Sequence, residues 1–145
     1  MKKLLWIACV PLLVLGACNQ KAKMPHEVYE AFSAGVRNGS SYEQQKIYFS
    51  QKKQQEAENS LQRYAEAGGK SREEMLAIMM DLQQRIEKCS ALTRKEEKIE
   101  DARAILIYTR TDTCGTKSDF SQETVTMVQE NDSWKIDDVI VSGAQ

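Results

Sequence analysis

Histidine is almost absent from this chain of 145 residues, with His26 alone, and proline occurs only twice. A single histidine excludes a His-rich metal site and leaves one candidate base for a His-dependent nucleophile. An excess of either charge is also missing: 20 Lys+Arg stand against 21 Asp+Glu, a net charge of −1. That balance argues against a nucleic-acid partner, because such proteins usually carry a strong basic excess. There is no C-x-x-C pair, no glycine-rich phosphate loop and no nucleophile elbow. The longest apolar run, residues 4–15, has twelve residues broken by Pro11, whereas a bilayer-spanning helix takes about 20. What remains is 41% hydrophobic and 28% charged, the balance of one folded domain rather than a disordered or multi-span chain.

The N-terminus reads as an address. Lys2 and Lys3 precede the apolar run, and Leu15-Gly16-Ala17-Cys18 follows it. A short apolar segment behind a basic start is a signal-peptide pattern. The closing tetrad resembles the lipobox of bacterial lipoproteins: a large apolar residue, two small ones, then Cys. The resemblance implies cleavage after residue 17 and acylation of Cys18; the alternative is an ordinary secretory signal in which Cys18 is incidental. Stable attachment takes more than one acyl chain, at about 0.8 kcal/mol per buried CH₂, and a lipoprotein cysteine carries two or three. Asn19 rather than Asp follows Cys18, which by the same resemblance favours the outer membrane of a Gram-negative cell. The expected organisation is a signal peptide over residues 1–17, lipidated Cys18 with a tether over 18–24, and one domain over 25–145. Cleavage removes Lys2, Lys3 and Cys9, leaving 18 basic against 21 acidic residues, net −3.

Helices come first in that domain. Pro25 suits a first helical turn, Val28, Tyr29, Phe32 and Val36 recur at three- and four-residue spacing, and Asn38-Gly39 is a stop. Ser40 with Glu43 predicts the next start as a capping box. The polar stretch 51–59 is either a solvated helix or a break between two. Ser71 with Glu74 is a further capping box, followed by Met75, Met79, Leu82, Ile86 and Cys89 at spacings of 4, 3, 4 and 3. This amphipathic stripe is expected to pack into the core. From Leu92 the period changes. Residues 93–101 read as an edge strand or a loop, while 102–113, 118–130 and 134–141 read as strands, with Asn131-Asp132 as a turn. Short connections predict antiparallel neighbours and an α+β class, N-terminal helices packed on an antiparallel meander.

Two stretches carry a family resemblance. One runs from Val36-Arg37-Asn38-Gly39-Ser40-Ser41-Tyr42-Glu43 to Tyr48-Phe49-Ser50; the other from Glu123-Thr124-Val125-Thr126-Met127-Val128 into Asp132-Ser133-Trp134-Lys135-Ile136-Asp137-Asp138-Val139. Their order resembles the nuclear transport factor 2-like (cystatin-like) superfamily, and in particular the small bacterial lipoproteins that carry one such domain. The resemblance implies a cone of helices and curved sheet whose mouth takes a small ligand or a partner. The acids and tyrosine that catalytic members such as ketosteroid isomerase place inside that cone have no residue-by-residue counterpart here.

Cysteine counting then gives one structural expectation. With Cys9 removed and Cys18 acylated, Cys89 and Cys114 are the remaining thiols in an oxidising compartment, and a disulfide between them is predicted. Two cysteines and one distant histidine fall short of a zinc shell. Asp138 shares strand parity with Trp134, Ile136 and Ile140, so it either points into the cone or sits at a bulge paired with Arg103 or Arg110. With Asp138, Tyr29 and Phe32 are candidate pocket residues, alongside Tyr42, Tyr48 and Tyr64, unless these rings cap the sheet. His26, at a helix start, is expected to be solvated. No catalytic residue, metal or cofactor is assigned. The expected function is a non-catalytic binding or accessory domain held to the envelope membrane by its lipid, presenting its cone mouth or sheet face to a protein or small ligand. An immunity protein against a periplasmic toxin is one concrete form. The alternative is a carrier or sensor for a small apolar ligand.

Overall fold

A computed structural model describes residues 23–115 and 121–143. The expected signal peptide over residues 1–17 and Cys18 lie outside the described residues, as do residues 118–120 of the strand expected over 118–130. Helix α1 spans Pro25–Arg37, α2 Tyr42–Lys46, α3 Gln51–Gly68 and α4 Arg72–Lys88; strands follow as β1 Ser90–Glu100, β2 Arg103–Asp112, β3 Ser121–Glu130 and β4 Ser133–Gly143. The strands form one antiparallel sheet in the order β1-β2-β3-β4. The class is α+β, a row of helices ahead of an open four-stranded meander.

The helix boundaries follow from capping. Pro25 opens α1, and Asn38 ends it with its N–H on the Ala34 carbonyl. Ser40 does not start α2. Its N–H is still bonded to the Gly35 carbonyl, so it belongs to the end of α1. Ser41 takes the cap instead, accepting from the Gln44 N–H while the Gln44 side chain accepts from the Ser41 N–H. The polar stretch 51–59 is helical, and the break falls earlier, at residues 47–50. There the chain runs beside β4: the Ser50 N–H donates to the Ile136 carbonyl and the Ile136 N–H to the Tyr48 carbonyl. Ser50 then caps α3, and Gly69 ends it in the left-handed region at φ +60. Asn131 and Asp132, both at positive φ, form the two-residue β3–β4 turn.

The core lies between α1 and one face of the sheet. Val28, Tyr29, Phe32 and Val36 pack on Ala104, Leu106, Tyr108, Val125, Met127, Trp134 and Ile136, with Tyr48, Phe49, Leu92 and Val139 at the margin. Each large side chain buried in this way contributes roughly 1.5–3 kcal/mol. The other sheet face carries Ile105, Ile107, Thr124 and Thr126, none of them fully buried.

Helix α4 reverses the expectation from its spacing. Its stripe faces solvent: Met79 is 37% exposed, Leu82 52% and Ile86 50%, with Ile78 beside them at 47%. Its one fully buried residue is Glu87. The side of α4 that meets α1 carries Met80 and Gln84 and ends in the buried charge of Glu87.

Asp138 is also displaced from the face its parity suggested. The β3–β4 register shifts between Thr126 and Met127, so Ile136 pairs with Met127 but Asp138 pairs with Thr126. One extra residue moves everything beyond it to the opposite face. Val139 points inward in its place, and the Asp138 carboxylate accepts from Lys53 Nζ at 3.2 Å rather than from Arg103 or Arg110.

Candidate functional site

The most concentrated chemistry sits at the end of α1, beneath the Cys89–Cys114 disulfide. That disulfide is formed, with Cα atoms 5.1 Å apart, and it ties the end of α4 to the segment after β2. Three charged side chains converge below it. Arg110 lies on β2 with the parity of Leu106 and Tyr108, Glu123 on β3 with that of Val125 and Met127, and Glu87 on the inward side of α4. Arg110 donates from Nε to Glu123 at 2.9 Å, from Nη2 to Glu87 at 2.8 Å and from Nη1 to the Ser90 hydroxyl at 2.5 Å. Nη2 is also 2.8 Å from Glu123. Tyr29 donates its hydroxyl to Glu123, and Ser33 donates to Glu87 at 2.7 Å. Arg37 completes the cluster from α1, donating to the carbonyls of Glu87 and Ser90 at 3.0 and 2.9 Å.

Burial sets the electrostatics. Glu123 is 2% exposed and Glu87 6%. Burial acts against the Arg110 charge, but the hydrogen bonds and charges of Glu87 and Glu123 more than offset it, and its pKa lies above the ordinary arginine value. Burial first, then the neighbouring Glu123 carboxylate, holds the Tyr29 hydroxyl protonated far above the usual tyrosine range. Each carboxylate oxygen of Glu87 and Glu123 accepts a hydrogen bond from a named side chain. Such a set fixes how α1, α4 and the strands dock, and no carboxylate oxygen of these two acids is without a donor.

A second polar group lies at the opposite end of α1. His26 is not solvated: its Nδ1 lies 2.9 and 2.8 Å from the two carboxylate oxygens of Glu97 on β1. Arg94 stands 3.8 Å from Glu97 and 3.7 Å from Glu30, which also accepts from the Tyr108 hydroxyl. Away from both groups, Tyr42 stands at the Glu58–Arg72 ion pair, whose N···O distance is 2.7 Å; burial and Glu58 push its hydroxyl up to about 12. Among the described residues no three of His, Cys, Asp and Glu are placed to hold a metal ion.

The residues singled out from sequence thus separate. Tyr29 and Phe32 are core side chains, their ring centroids 6.0 Å apart, with Tyr108 tilted against Tyr29 and Phe49 against Phe32, each at 5.3 Å. Asp138 is on the other face of β4, at the start of α3. Tyr48 packs against Phe32, and Tyr64 is exposed. The pocket they were to line together is not assembled by these side chains. A groove of about 240 Å³ lies instead between α1 and α4, lined by Val36, Gly39, Gln45, Met80, Asp81 and Gln84. Sequence reading missed Glu87 and Glu123 as a pair. A signal existed for Glu123, which shares the parity of Val125 and Met127 and so had to be buried with a partner.

Compared with known proteins, the chain matches no family model, no curated protein and no solved structure.

Proposed function

We propose that this protein is a lipid-anchored component of the bacterial envelope whose domain, of the nuclear transport factor 2-like kind, serves as a non-catalytic binding or accessory module. The observation that carries the reading is the Leu15-Gly16-Ala17-Cys18 run set just ahead of a folded domain that begins at Pro25. A tether of about six residues spans roughly 13 Å as a flexible chain, so the domain rides close to the lipid surface. The anchor joins the end of α1 where His26 meets Glu97, and the disulfide end is the one turned away from it. The filled interior supports a partner-binding role over a carrier role. Tyr29, Phe32 and Tyr108 occupy the space that an apolar ligand would need, and the buried acids are fully engaged. A protein partner, such as a toxin neutralised in the periplasm, would then meet an outer surface.

Mass spectrometry of the N-terminal peptide from the membrane fraction tests the anchor. The expected result is Cys18 as first residue, bearing the lipid, with no modification in Cys18→Ser; a chain that begins elsewhere or an unmodified Cys18 overturns it. Native mass spectrometry tests the module, since a co-purified apolar small molecule held by the domain would replace the accessory reading with the carrier.

A further inference from the structure

Among the described residues none covers the outer face of α4, and its pattern of apolar and charged side chains suits one occupant. Met75, Met79, Leu82, Ile86 and Cys89 repeat every 3.5 residues on average, a spacing that a two-helix seam accepts. Met75 is half-buried, its methyl lying near Gly68, but Met79, Leu82 and Ile86 stand in solvent with Ile78. Charge is divided along the same helix. Glu73 and Glu74 occupy its first turn, and Arg85 and Lys88 its last.

We propose that α4 pairs antiparallel with α4 of a second copy of this chain across a two-fold axis. Setting Met79 of one copy against Leu82 of the other brings Met75 opposite Ile86 at both ends, so the seam is complementary to itself, as a two-fold interface requires. The same alignment brings Glu74 of each copy alongside Arg85 and Lys88 of the other, and it opposes the two helix dipoles. A parallel pairing would place acids on acids. A lipid surface is the poorer occupant. Interfacial helices carry Lys and Arg along the polar face, whereas here the first turn is acidic and Asp81 sits mid-helix, paired with Arg85 at 2.5 Å. A seam on a helix of 17 residues is about 25 Å long, which falls short of the roughly 800 Å² per partner of a standard interface. The dimer is therefore a weak one, populated as concentration rises.

Sedimentation equilibrium of the full chain, loaded over about a hundredfold concentration range, reads this directly. The expected result is a monomer–dimer equilibrium that Leu82→Glu weakens at least about tenfold, the scale of placing a charge at a seam, with unchanged helical content. Glu74→Lys and Lys88→Glu should each weaken association, and mixing the two should restore a heterodimer. That rescue cannot come from a helix that merely lost its cap. A wild-type monomer throughout the range overturns the pairing. So does a dimer indifferent to Leu82→Glu, or an α4 face found occupied only by a different protein.

Discussion

Helices α1 and α4 lie against each other and carry apolar stripes of similar spacing, yet they use them in opposite ways. On α1 the stripe is the core: Tyr29, Phe32 and Val36 are at most 7% exposed and meet the sheet. On α4 the stripe is surface, and the side that meets α1 presents Glu87 to Ser33 and Arg110. Periodicity makes a helix amphipathic; it does not say which neighbour receives the apolar side. The junction between the two helices is polar because Arg110 and Glu123 stand at that end of the sheet and need charged partners. Once Glu87 is committed to them, the residues on the far side of α4 must point away.

That account predicts its own largest effect at the junction. Arg110→Met leaves Glu87 and Glu123 buried side by side without a cation, and chemical denaturation should show a loss of about 3–5 kcal/mol. A loss under 1 kcal/mol would mean the acids are held by their hydroxyl partners alone. Phe32→Ala on α1 should cost a similar amount, about 3–5 kcal/mol, through lost burial and the cavity left behind. Cys89→Ser with Cys114→Ser should lower stability by on the order of 3 kcal/mol, the entropy of closing a loop of this size, and the same shift should appear when the wild type is unfolded under reducing conditions.

A pH effect follows from the same junction. The folded protein keeps the buried Tyr29 protonated, whereas in the unfolded chain it gives up its proton near the ordinary tyrosine value of about 10. Stability is thus unaffected by this group below about pH 10 and falls as pH rises beyond it. Tyr108, raised mainly by its burial, acts in the same direction. Alkaline unfolding curves should show a smaller slope for Tyr29→Phe than for the wild type. The smallest effect belongs to the outer stripe. Leu82→Ser, measured at concentrations low enough to keep the chain monomeric, should change stability by no more than about 0.5 kcal/mol. A cost of several kcal/mol there would break the contrast between the two helices.

Several features could be read before any coordinates. The alternation in β2, β3 and β4 and the stop at Asn38-Gly39 are local signals, and each matched an element. The Cys89–Cys114 bond followed from counting thiols. Other readings failed for identifiable reasons. Ser40 and Ser41 are equally good caps in isolation, and the choice between them turned on the Gly35 carbonyl, which holds the Ser40 N–H. At Asp138 the bulge that was one of the two expectations is present, but the partner is Lys53 rather than Arg103 or Arg110. His26 found Glu97, which is 71 positions away in sequence.

By itself, then, the sequence determined the order of helices and strands and the Cys89–Cys114 pairing, because caps, turns and side-chain periods act over a few residues. Only the tertiary structure decided which face of α4 is inside, which acids are buried and which arginine they share. Burial is not directional, so an apolar stripe accepts any neighbour of the right shape. A buried charge accepts only an opposite one, and the position of Arg110 between Glu87 and Glu123 settled the rest.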